Sequence, residues 1–219
     1  MKFRRILLFS LTMVLGIGTL SGCASPSQKY VADKKDGVYL AVPFSWHLIS
    51  NETLNAREAT SKNTGAADRL ANVTFQQAYS PNAKYRAKDV LTLVAPTSPL
   101  VYIRVRNLLP DEINAVSYNS LRNIIVPLTS WIDGSDTTAP PFELLKDVEV
   151  VQKSARGVRT SYSFTQKKQV SQTIDQTSLI SDDRSKIYVL IIRCTTICFN
   201  KNRYQLSKIA TSFTVRGTR

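Results

Sequence analysis

Residues 186–193 constrain the fold of this chain more than any other stretch. Written as a strand, they send Ile187, Val189 and Ile191 to one side and Tyr188, Leu190 and Ile192 to the other, because side chains alternate along an extended backbone. Apolar side chains on both faces need a covering layer on each, so the pattern predicts a central strand of a sheet packed on both sides. The flanking sequence supplies neighbours for it. Residues 170–180 read as a strand that Ser181-Asp182-Asp183-Arg184 turns back into 186–193, since Asp and Ser favour tight turns. Residues 148–152 and 156–165 read as paired strands, with Val158, Tyr162 and Phe164 on one face of the second. In 99–107, Val101, Ile103 and Val105 alternate with Tyr102, Arg104 and Arg106. One face is apolar and the other carries two arginines, the pattern of a half-buried strand.

Weaker signals fill the remainder. Residues 37–43 form a short strand pattern stopped by Pro43, and 69–79 and 90–95 are rich enough in Val, Thr, Phe and Leu to be strands. Residues 51–64 are polar and fit a short helix or a loop. Pro110 and Asp111 offer a helix start, and Ile113, Val116, Ser120, Leu121 and Ile124 follow at helical spacing until Pro127. Residues 133–141 contain Gly134 and two prolines and must be loop. A last helix begins at Asn202, with Gln205 at the reciprocal capping position and an apolar stripe of Leu206, Ile209, Ala210 and Phe213. Hairpin-linked strands interleaved with a few helices give an α+β class: a mostly antiparallel β-sheet flanked by helices.

The N-terminus fixes a compartment. Lys2, Arg4 and Arg5 precede an apolar run over residues 6–17, and Leu20-Ser21-Gly22-Cys23 follows it. This is the layout of a cleavable export signal, and its ending is that of a lipoprotein signal peptide. Small residues admit the peptidase, and the Cys23 thiol takes a diacylglyceryl thioether before becoming the new N-terminus. The apolar run falls short of the ~20 residues of a spanning helix. The expected organisation is a signal peptide over 1–22, a lipidated flexible tether over 23–36, and one domain over 37–219. The expected location is the outer face of a cell membrane, held by acyl chains at Cys23.

Loss of Lys2, Arg4 and Arg5 takes the formal charge from +13 to +10. Outside the cytoplasm no nucleic acid is expected as a partner. The polyanions within reach are anionic lipids and envelope polymers, towards which a tethered basic domain is drawn, although the same charge also serves solubility. The two remaining cysteines, Cys194 and Cys198, are expected to form a disulfide in an oxidising compartment.

Taken together, the opening of residues 37–46, the central helix after 99–107, the Gly157-Val158-Arg159 strand and the ending from Val189 to Val215 resemble the PsbP-type fold, and more narrowly the LpqN-like lipoproteins of actinobacterial envelopes. The resemblance implies an antiparallel sheet flanked by helices, used for docking to other proteins, with no catalytic centre and no cofactor.

The residues themselves point the same way. A Ser-His-Asp site would have to use His47, the one histidine, and no Gly-x-Ser-x-Gly elbow is present. Eight glycines include no phosphate-cradling loop, and a metal would lack ligands. The expectation is a non-catalytic, membrane-anchored accessory module that docks envelope proteins, with Arg104 and Arg106 either facing an anionic partner or merely solvated. The competing reading is a carrier for a lipid or other apolar ligand. An open apolar cavity between sheet and helix favours the carrier, and a filled core with an exposed aromatic groove favours docking.

Overall fold

A computed structural model describes residues 27–167 and 169–217. Seven strands form the main sheet: β3 (His47–Ile49), β4 (Val73–Ser80), β5 (Leu100–Asn107), β6 (Phe142–Val151), β7 (Ala155–Phe164), β8 (Gln172–Ser181) and β9 (Lys186–Thr195). Their order is β3-β4-β5-β9-β8-β7-β6, and every pair is antiparallel. β9 is the middle strand, as its two-faced apolar pattern requires. A smaller sheet joins β1 (Gln28–Asp33), β2 (Val38–Pro43) and β10 (Thr214–Val215).

One face of the main sheet is closed. Val101, Ile103 and Val105 of β5 and Tyr188, Leu190 and Ile192 of β9 pack against α7 (Arg203–Ser212) through Leu206 and Ile209, with Val38, Leu40 and Val42 of β2 behind. At roughly 25 cal/mol per Å² of apolar surface, each fully buried Leu or Ile here contributes about 2 kcal/mol. The chain closes on itself where Arg216 N–H donates to the Gly37 carbonyl at 2.8 Å. Gly37 has φ +65°, and a Cβ there would lie 2.3 Å from the Gly217 oxygen. Only glycine fits.

The opposite face carries two separate helical units. At one flank α1 (Asn51–Glu58) and α3 (Ala87–Val90) bury Leu54, Ala87 and Val90 against Ile49, Ala78 and Leu100. At the other, α4 (Tyr118–Arg122) and α5 (Leu128–Ile132) bury Leu121, Leu128 and Trp131 against Val158, Tyr162, Phe164 and Ile174.

Several expectations need correction. Residues 28–36 are not tether. β1 pairs with β2 from Gln28↔Pro43 to Asp33↔Val38, and Val31 enters the core. Asp36 is fully buried, 2.6 Å from Lys186 Nζ, and accepts from Thr74 Oγ1. An edge strand with one inward apolar residue looks polar in sequence, and a buried carboxylate is invisible until its partner is placed. The Cys23 anchor and the signal peptide lie outside the described residues. The long helix after Pro110 is instead a series of turns followed by α4, because Ser117 and Ser120 cap a new start. Ser117 Oγ accepts from Ser120 N–H, and Ser117 N–H donates to Ser120 Oγ, both at 3.2 Å. Pro127 does not end a helix but stands at the N-cap of α5. Residues 66–71 are helix α2 (Ala66–Ala71), and 91–95 are irregular rather than strand. A further helix, α6 (Thr196–Lys201), precedes α7, so Asn202 spends its amide on the Cys198 carbonyl at 2.8 Å instead of capping α7.

Cys194 and Cys198 are disulfide-bonded, with Cα atoms 5.9 Å apart. The first turn of α6 folds the three intervening residues back far enough to permit it. The bridge ties the end of β9 to α6.

Candidate functional site

Between the two helical units the sheet is left open. Over β5 and β9 lies a groove of about 430 Å³, within the ~300–1,000 Å³ of small-molecule sites. Register makes it two-sided. Tyr102 lies opposite Ile191, Arg104 opposite Val189 and Arg106 opposite Ile187, so a cationic strand runs beside an apolar one. Glu58 of α1 and Arg69 of α2 extend the polar wall, while Ile124 and Ile125, between α4 and α5, extend the apolar wall. Leu91 and Leu93 stand at the end nearest Leu100 and Arg193.

The polar wall is held rigidly. Asn51, Asn55 and Glu58 fall on one face of α1 and turn it towards β4. Gln76, fully buried on β4, donates to Asn55 Oδ1 at 2.7 Å and to Glu58 Oε2 at 3.0 Å, and its oxygen accepts from Tyr102 OH at 2.5 Å. Arg104 donates to Glu58 Oε1 at 2.5 Å and to Tyr102 OH at 3.2 Å. A buried network with its members satisfied is rigid, because each broken bond would strand a desolvated group. Burial, opposed by the Arg104 charge, pushes the Tyr102 phenol up, so it remains a neutral donor. Arg106 clasps Glu112 with two bonds of 2.6 and 2.8 Å, and these hold the Glu112 carboxyl below the usual carboxylate range.

The far end is organised by Arg193. Its side chain is buried, and it donates to the carbonyls of Val94 at 3.0 Å and Asp89 at 2.7 Å. Burial pushes its guanidinium down to about 10, still charged at neutral pH. No carboxylate pairs with it among the described residues. Gln172 Nε2 donates to the Leu93 carbonyl at 2.7 Å. These bonds replace the missing ladder of an irregular segment and present Leu91 and Leu93 to the groove.

The structure thus brings Arg104 and Arg106 together in the groove, and neither is bare: each has an internal carboxylate partner. With Arg69 and Arg193, four guanidinium groups line the groove against Glu58 and the Glu112 partner of Arg106, leaving two positive charges in excess. Sequence reading missed Glu58, Arg69, the 91–94 segment and Arg193. The Asn51, Asn55, Glu58 spacing was the available signal, an inward stripe that happens to be polar. His47 lies elsewhere, exposed on β3 opposite Ser80. Trp46 and Trp131 are both core residues. Among the described residues no cluster of His, Cys, Asp and Glu suits a metal, and no helix is long and apolar enough to cross a membrane.

No protein-family model matches the chain, and no curated protein matches it. Solved structures do resemble it. Cyanobacterial PsbP (CyanoP) from Synechocystis sp. PCC 6803 aligns with a TM-score of 0.49 at 11% identity, over 91% of this chain and 98% of that one. LpqN, involved in cell envelope biogenesis of Mycobacterium tuberculosis, aligns at 0.45 and 11% identity, over 85% and 89%. The Saccharomyces cerevisiae Ran-binding protein Mog1p aligns at 0.45 and 11% identity, over 88% and 97%. The two kinds of protein that the sequence resembles are both among them. Likeness at this level concerns the path of the chain and says nothing of what it binds.

Proposed function

We propose that this is a non-catalytic accessory protein of the cell envelope, held at the membrane by lipid on Cys23, that carries an amphiphile with an anionic head in the groove over β5 and β9. The observation that supports this reading is the two-sidedness of the groove. Ile187, Val189, Ile191 and Ile124 offer an acyl chain an apolar wall, and Arg69 and Arg104 stand beside it where a phosphate or carboxylate head can take charge-assisted bonds. The satisfied Gln76, Glu58 and Arg104 network holds the head site in place before the ligand arrives, which lowers the ordering cost of binding. The groove supplies no nucleophile paired with a base.

Calorimetric titration with dodecyl phosphate tests the reading. The parent chain should bind it with micromolar Kd and prefer it to uncharged dodecyl maltoside. Ile191→Trp, which fills the floor, should lose at least tenfold. Equal binding of both amphiphiles, or no effect of the filled floor, would remove the carrier reading.

Docking of an envelope protein is a second reading, and one feature favours it. β6 is a ten-residue edge strand that exposes Leu144, Leu145, Val148 and Val151. A long apolar edge of this kind invites strand addition by another chain.

A further inference from the structure

We infer that the end of the domain from which the N-terminal segment departs is a lipid-facing surface that seats on an anionic bilayer. The register puts several segments at this one end. Ser80 lies opposite His47, Leu100 opposite Arg193, and Gln172 opposite both Thr195 and Phe164. The connections 81–99 and 165–171 and the start of α6 therefore lie together, tied by Thr195 N–H to the Pro96 carbonyl at 2.8 Å and Thr196 N–H to the Ser171 carbonyl at 3.0 Å. The described chain starts here too, since the Ser27 carbonyl accepts from Phe44 N–H at 3.1 Å. Cys23 is four residues upstream, so even fully extended chain carries it no more than about 14 Å from Ser27. Acyl chains on Cys23 would hold this end of the domain against the bilayer.

Its surface suits that position. Ile197 is 84% exposed, Val170 62%, Phe44 59% and Val94 56%, and all four lie at this end. Isolated exposed apolar residues are ordinary, but several at one pole are not. Charge follows the same axis. The described residues of the connections at this end, 81–99, 133–141, 165–171 and 196–204, contain six Lys and Arg against three Asp, the 133–141 connection being placed here by Thr165 N–H donating to the Pro141 carbonyl. The connections at the opposite end, residues 33–37, 59–72, 107–117, 152–154 and 182–185, contain six Lys and Arg against seven Asp and Glu. Exposed apolar side chains that share one end of the sheet with Lys84, Lys88, Lys167 and Lys201 match the boundary between headgroups and acyl chains, where apolar groups enter and cations meet anionic lipid. Leu91 and Leu93 put the apolar mouth of the groove at the same pole, next to the source of an amphiphile.

This seat uses the Cys23 acylation proposed above, and one sample tests the two separately. The full chain, purified from the membrane fraction with tryptophan introduced as Ile197→Trp or, separately, Val151→Trp, is reconstituted into vesicles of equal phosphatidylglycerol and brominated phosphatidylcholine. Fluorescence of the added tryptophan at 197 should be quenched at least twofold, and that at 151 should not change. The quenching should fall when phosphatidylglycerol is omitted and when salt is raised. Equal quenching at both positions, or none at either, overturns the seat. Intact mass of the same protein reads the acyl chains, so an acylated but unquenched chain refutes the seat alone and an unacylated but quenched chain refutes the anchor alone.

Discussion

The two faces of the β5–β9 pair are built from the same sixteen-residue register and end in opposite states. On one, Val101, Ile103, Leu190 and Ile192 are covered by α7 and lose all contact with water. On the other, Arg104 and Ile191 stay half-buried in the groove between two helical units, whose clusters bury Tyr102 and Val189 at its sides. A face with only apolar side chains must be closed, because exposure costs about 2 kcal/mol for each large residue. A face that sets a cationic strand beside an apolar one can remain partly open at little cost. The difference between the faces is one of cover: α7 seals one, and the other holds the groove.

That contrast can be broken by substitution. Leu190→Ala on the closed face should cost about 3 kcal/mol in chemical denaturation, since the core around it cannot collapse. Ile191→Ala, one residue on but half-buried in the groove, should cost about 1 kcal/mol. Equal losses would mean that the groove is part of the core. Arg104→Met acts on the polar wall of the groove instead. It leaves the Glu58 carboxylate partly buried without its guanidinium and should cost about 2 kcal/mol, while lowering affinity for an anionic amphiphile about tenfold.

The smallest effect expected is in acid. Two bonds from Arg106 hold the Glu112 carboxyl below its ordinary value of 4.5, so the folded protein binds this proton less readily than the unfolded chain does. The stabilisation is therefore whole above pH 4.5 and is lost as pH falls through the lowered folded value. Glu112→Gln should flatten the acid limb of the unfolding curve and leave the neutral region little changed. An unaltered acid limb would show that the Arg106 pair contributes nothing, as many half-exposed ion pairs do.

How much of this was legible beforehand depends on which force decides each element. The central strand, the β8–β9 hairpin at Asp182-Asp183 and the apolar stripe of α7 were readable because burial imposes its period directly on the sequence. β1 and Asp36 were not, since the Lys186 partner lies 150 residues away. The groove was half legible. Alternation gave the arginine side of β5, and its two neighbours, Glu58 from α1 and Arg69 from α2, became visible only in three dimensions. Residues 90–95 have the composition of a strand, but Leu91 and Leu93 are about a third exposed and Val94 more than half, the opposite of what apolar residues usually signal. Their exposure is what makes them candidates for contact with lipid.

Binding in the groove is read most directly by methyl NMR of the full chain, labelled at Ile, Leu and Val and titrated with dodecyl phosphate. If the groove takes the amphiphile, the methyls of Val189, Ile191, Ile124 and Leu93 shift in a saturable manner while those of Val101, Ile103, Leu190 and Ile192 remain in place. Shifts spread equally over both faces, or confined to the exposed methyls of β6, would contradict it.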